Sequence, residues 1–127
     1  MHGVAAVTAL ALLEFLVLGG LVGRARAKYG VEAPATTGDP TFERYFRVHQ
    51  NSMEALIVFI PALWMFARYL NNPVAIALGL IFIAGRVIYA ASYVRAPEKR
   101  GPGAGITFIV NGTLVIGSLV GIGMHVI

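Results

Sequence analysis

Four long apolar runs divide the chain. The first extends from about Val4 to Val22 and is interrupted only by Glu14. The second, about Met53 to Tyr69, carries Glu54 near its start and Pro61 inside it. The third, about Val74 to Tyr93, encloses Arg86, and the fourth, Ile106 to Ile127, contains Asn111 and Gly112, Gly117, Gly121 and Gly123. At about 1.5 Å of rise per residue, roughly 20 residues cross a hydrocarbon layer of about 30 Å. Each run is therefore predicted to be a membrane helix, and glycines at such density suit close helix packing in lipid. Only Leu70-Asn71-Asn72-Pro73 separates the second run from the third, which predicts a tight hairpin.

The other two connections are longer and polar. The first, from Arg24 to about Phe42, holds Pro34 and Thr36-Thr37-Gly38-Asp39-Pro40 and reads as an ordered, turn-rich loop. Helical patterning resumes with Thr41 as N-cap and Glu43-Arg44 in the first turn, so the second helix is expected to begin in water and enter the membrane near Met53. Pro61 is expected to kink it. Ala25-Arg26-Ala27 imitates a leader cleavage site, but no Lys or Arg precedes the first run, which is also too long for a leader. A retained helix is expected. The pattern as a whole predicts a single all-α domain over residues 1–127, a bundle of four transmembrane helices.

Composition agrees. Of 127 residues 57% are apolar and 13% charged, against about 25% charged in soluble domains, and mean hydropathy is +0.75. The absence of cysteine removes disulfides, thiolate metal sites and a protein-thiol nucleophile together. His2, His49 and His125 have no ligand spacing, so no metal is expected. The net charge of +4 does not point to nucleic acid in so apolar a chain. Arg24, Arg26, Lys28, Arg44 and Arg47 flank the first connection and Arg95, Lys99 and Arg100 the third, with only Arg68 near the other side. The positive-inside rule places both basic connections in the cytoplasm and both termini opposite.

Ionisable residues inside membrane spans are costly, which makes each one a functional candidate. Arg47, Asn51 and Glu54 fall at i, i+4 and i+7 on one face of the second helix. Arg86, Tyr89 and Tyr93 do the same at i, i+3 and i+7 on the third. Two polar stripes at matching depth imply a polar cavity open to the cytoplasmic side. Internal salt bridges and interfacial tyrosines are the structural alternative, with Glu14 expected to pair with Arg86. Guanidiniums bind carboxylates, a carboxylate binds an ammonium, and an Asn amide binds peptide groups. The set suits a small zwitterionic peptide better than a metal or an apolar drug.

The segment Phe42-Glu43-Arg44-Tyr45-Phe46-Arg47-Val48-His49-Gln50-Asn51-Ser52-Met53-Glu54 resembles the MAPEG superfamily, the membrane-associated proteins in eicosanoid and glutathione metabolism. Thr36-Thr37-Gly38-Asp39-Pro40 and Ala84-Gly85-Arg86-Val87-Ile88-Tyr89-Ala90-Ala91-Ser92-Tyr93 are similar to the leukotriene C4 synthase and microsomal glutathione transferase branch. The resemblance covers the first three helices, while the fourth matches only in hydrophobicity. It implies a homotrimer with glutathione sites between neighbouring protomers, near the cytoplasmic side. By the same resemblance Arg26 and Arg47 would hold carboxylates, Asn51 the peptide and Glu54 the γ-glutamyl ammonium. Tyr89 and Tyr93 would contact glutathione, and Arg100 would be the catalytic residue that stabilises its thiolate.

Three departures stand out. His49 replaces a Gln and can still hydrogen-bond, Ala55 replaces a Tyr that contacts glutathione, and Ala27 replaces the second Arg of a pair. They favour a broad-specificity glutathione S-transferase over leukotriene synthesis. Its implied partners are hydrophobic electrophiles and membrane lipids, with glutathione as co-substrate, and a glutathione-dependent reduction of lipid hydroperoxides is a further expected activity. The few residues after the fourth helix suggest a bacterial inner membrane. Two other readings stay open: a non-enzymatic, lipid-binding member of the family, and a small multidrug antiporter built around Glu14.

Overall fold

The structure is a computed structural model that describes residues 1–127. It contains four long helices, α1 (His2–Tyr29), α2 (Pro40–Tyr69), α3 (Asn72–Arg95) and α4 (Gly101–Val126), with a short 3₁₀ turn at Pro97–Lys99 before the last. All four are long and apolar enough to cross a membrane.

The helices overrun the apolar spans because their polar ends remain helical. Arg24 to Lys28 belong to α1, where Arg26 and Lys28 face the negative end of the helix dipole. Gly30 ends it in the left-handed region, at φ 69°, and its N–H donates to the Arg26 carbonyl. The first connection is therefore shorter than the pattern predicts. The N-cap of α2 is Asp39 rather than Thr41: its Oδ1 accepts from the Thr41 and Phe42 N–H groups, both at 2.9 Å. Pro40 occupies the first helical position, where a missing N–H costs nothing, and so the cap lies at Asp39, two residues before Thr41. Asn71 caps α3 by accepting from Val74 N at 2.9 Å, which completes the predicted hairpin.

α2 packs against each of the other three helices, whereas α1 and α4 stand on opposite flanks. Phe59 and Phe82 stack at 3.8 Å between ring centroids, and Val4, Leu63 and Leu114 close around them. Trp64 joins α2 to α1 through its Nε1, which donates to Thr8 Oγ1 at 2.9 Å. α3 and α4 meet so closely at Gly103 that a Cβ there would lie 2.6 Å from Tyr89 N. Only 28 of the 127 residues are buried, so most apolar side chains face outward, an arrangement suited to hydrocarbon rather than water.

The two ends of the bundle differ. Asn72 Nδ2 donates to Met1 Sδ at 2.9 Å, and His125 meets the Tyr69 ring edge-on at 5.5 Å, which puts both termini beside the α2–α3 hairpin. At the opposite end Arg44 Nη1 donates to the Val94 carbonyl at 3.1 Å and clamps the start of α2 to the end of α3. The basic connections therefore share one end.

Candidate functional site

Beyond the Asp39 cap, α2 turns Arg47, Gln50, Asn51 and Glu54 toward α3. The buried Tyr89 and half-buried Tyr93 come from α3, stacked at 5.6 Å. Arg100 enters from the last connection, where its Nη1 donates to the Pro97 carbonyl at 3.0 Å and leaves its other N–H donors free. These seven residues line one cavity of about 400 Å³. It brings together six of the eight residues singled out in the sequence. Gln50 is the residue the sequence reading missed. It lies three positions from Arg47, on the arc already defined by Arg47, Asn51 and Glu54, and that spacing is the signal that finds it.

Arg26 and His49 lie elsewhere. Arg26 Nη1 donates to the Ala35 carbonyl at 2.7 Å, and its guanidinium covers the Phe42 ring at 4.8 Å. His49 stacks on Phe15 of α1 at 4.4 Å. At about 100° per residue it is roughly 200° from Arg47, on the other side of α2.

The chamber holds two cations, one carboxylate, two side-chain amides and two phenols. Glu54 is exposed on the flank of α2 between the exposed Met53 and Ile57. Toward the basic end the chamber joins a vestibule of about 610 Å³ through Arg47, Gln50 and Tyr93, which line both. Away from it, Asn51 and Glu54 also line a more apolar groove of about 510 Å³ along α2 and α4. A polar end, a charged chamber and an apolar groove thus follow one another along α2.

Arg86 does not pair with Glu14. At 2% exposure its guanidinium sits in the seam between α2 and α4, where Nη2 donates to Ser52 Oγ at 2.8 Å and Nη1 to Thr107 Oγ1 at 3.3 Å. Two neutral hydroxyls take the place of the expected carboxylate, because the seam presents them to the guanidinium from both sides.

The sequence profile of the MAPEG family matches residues 4–120. The chain belongs to the MAPEG family. Its four spans are those of an integral membrane protein of that family. This MAPEG chain is 48% identical to an uncharacterized protein of Synechocystis sp. over 118 residues, covering 93% of the chain and 86% of the relative. It is 49% identical to human microsomal glutathione S-transferase 2 over 79 residues, 62% of this chain and 54% of that protein. With guinea-pig leukotriene C4 synthase the identity is 34% over 96 residues, 76% of this chain and 64% of the relative. The chain therefore spans only about half to two thirds of the relatives whose names state an activity.

Proposed function

We propose that this protein is a membrane-bound glutathione S-transferase that joins the glutathione thiolate to hydrophobic electrophiles. The observation that carries the reading is the convergence of Arg47, Asn51, Glu54, Tyr89, Tyr93 and Arg100 on one cavity. Glutathione has two carboxylates, one ammonium, two amides and a thiol, and the chamber offers a partner for each. Arg47 takes a carboxylate, Glu54 the ammonium, Asn51 a peptide amide, and the tyrosine hydroxyls hydrogen-bond the remainder.

Arg100 has the central role. A free thiol has a pKa of about 8.5, and a guanidinium beside it favours the thiolate, which is the nucleophile. The sulfur then attacks the electrophilic carbon, the C–S bond forms, and the leaving group departs with its electron pair. The adjoining groove offers the apolar partner a place beside the chamber. Reduction of a lipid hydroperoxide would use the same thiolate, with attack on oxygen and a second glutathione to release the disulfide.

The active unit is a homotrimer with its basic connections in the cytoplasm, in a bacterial inner membrane. Two features support a shared site. Glu54 is exposed at a depth where a bare carboxylate is costly, and Arg26 and His49 point away from their own chamber, as donors to a neighbour's chamber must. Conjugation of 1-chloro-2,4-dinitrobenzene by the purified protein is the direct test. Wild type is expected to conjugate it, and Arg100→Ala to do so more than tenfold more slowly. Equal rates would remove Arg100 from its role. Glutathione binding without conjugation would mark a non-enzymatic member.

A further inference from the structure

A second group of cations lies outside the chamber, on the flank where α1 meets α3. Arg24 and Lys28 stand four residues apart and share one face of α1, whereas Arg26, about 200° from each, points to the other side. With Leu21, Ala25, Tyr29 and Tyr45 they line a cavity of about 100 Å³ at the basic end of the bundle. Lys28 Nζ lies 5.4 Å from the Tyr29 ring centroid. Leu21 and Tyr45 also line a second cavity of about 350 Å³, so the two are continuous. The second runs into the membrane span between Leu18 of α1 and Ala90, Ala91 and Val94 of α3, with Val48 of α2 beneath. Arg95, the last residue of α3, lines it as well.

Charged, aromatic and aliphatic parts follow one another here in the order in which a phospholipid requires them. From Leu18 to Lys28 the α1 axis rises about 15 Å, from the apolar wall to the cations. Tyr45 lies between them, and a tyrosine suits that boundary because its ring is apolar and its hydroxyl polar. Neither cavity is lined by a carboxylate. A phosphate therefore meets three cations and two phenols, while an ammonium meets three like charges and no partner. The positive-inside rule accounts for cations at this end of the bundle, but not for their meeting two phenols around a pocket that continues as an apolar groove. Arg26, His49 and Glu54, the residues assigned to contacts between protomers, line neither cavity, so this flank stays open to lipid.

We infer that the α1–α3 flank binds one phospholipid whose headgroup carries a net negative charge, from the leaflet at the basic end. Arg24, Lys28 and Arg95 hold the phosphate, the hydroxyls of Tyr29 and Tyr45 donate to its oxygens, and an acyl chain lies against Leu18, Ala91 and Val94. The lipid would bridge the ends of α1 and α3. The site is separate from the chamber, and the inference stands whether or not the protein is a transferase.

The test is titration of the delipidated, detergent-solubilised protein with dioleoyl phosphatidylglycerol or dioleoyl phosphatidylethanolamine, read by native mass spectrometry. The two probes share acyl chains and phosphate and differ in the ammonium. Phosphatidylglycerol is expected to saturate at one molecule per chain and to bind at least about tenfold more tightly than phosphatidylethanolamine. Arg24, Lys28 and Arg95 are all exposed, so their substitution leaves the core intact. Arg24→Gln and Lys28→Gln should each weaken phosphatidylglycerol about fivefold. Lys99→Gln removes the same charge from the same end but outside both cavities, and should leave the affinity within about twofold of wild type. Equal binding of the two lipids to wild type overturns the inference without any variant. So does a loss in Lys99→Gln as large as that in Arg24→Gln, which would mean diffuse attraction to a basic surface instead of a site.

Discussion

Arg86 Nη2 donates to Ser52 Oγ at 2.8 Å and so ties α3 to α2 inside the bundle. With the charge buried, Thr107 at 3.3 Å is its only other hydrogen-bond partner, and the Tyr89 ring lies 4.4 Å from the guanidinium. Ser52→Ala deletes the shorter bond and leaves a guanidinium donor unmet, a loss of about 1–3 kcal/mol. Thermal unfolding in detergent should show the lowered midpoint, and an unchanged midpoint would mean that the bond contributes nothing.

The contact of Gly103 with Tyr89 is backbone against backbone, so it has no flexible side chain to yield. Gly103→Ala places a Cβ about 2.6 Å from Tyr89 N and must push α3 and α4 apart. A cost of about 1–3 kcal/mol is expected from such overpacking, with lower glutathione affinity because Tyr89 lines the chamber. Gly105→Ala is the control. Nothing lies within 4 Å of its Cβ, and the gain in helix propensity should leave stability unchanged or higher.

The spans and the Arg47/Asn51/Glu54 stripe were legible because a 3.6-residue period is a property of one helix and can be counted along one segment. Relations between helices were not. Arg86 was expected to meet Glu14 since charge flags charge, whereas its partners are the hydroxyls of Ser52 and Thr107, set by how α2, α3 and α4 are rotated against one another. Thr41 was expected to cap α2 because Pro40 was read as loop. Its fixed φ and missing N–H instead suit the first helical position and hand the cap to Asp39. Gln50 escaped notice as a neutral residue between charged ones, although its spacing from Arg47 places it in the chamber. His49 entered through family resemblance, and its angle around α2 already puts it on the opposite face.

Glu54 is assigned to the ammonium of glutathione, an interaction present on binding and kept through the reaction. Glu54→Gln should raise the glutathione dissociation constant about tenfold and leave the turnover of the saturated enzyme near wild type. Isothermal titration gives the first quantity and saturation kinetics the second. An unaltered affinity would remove Glu54 from the ammonium.

A site shared between protomers predicts complementation. Arg26→Ala and Arg100→Ala are each expected to have low activity alone. Co-expressed with separate affinity tags and purified through both, they should form mixed trimers containing one intact site, in which one chain supplies Arg100 and its neighbour Arg26. Activity no higher than that of either variant would show that each chamber works within its own chain.

The central claim is that the chamber holds glutathione as its thiolate through Arg100, and ultraviolet difference absorbance of the thiolate measures this without any electrophile. At pH 7 a thiol of pKa about 8.5 is only about 3% ionised. Because Arg100 lowers that pKa, the thiolate should persist to lower pH when bound than when free. The account predicts a thiolate signal at pH 7 that saturates with glutathione in proportion to the sites. In Arg100→Ala the signal should collapse at pH 7 and return only as the pH approaches about 8.5. An equal signal in the variant, or none in wild type saturated with glutathione, would contradict the account.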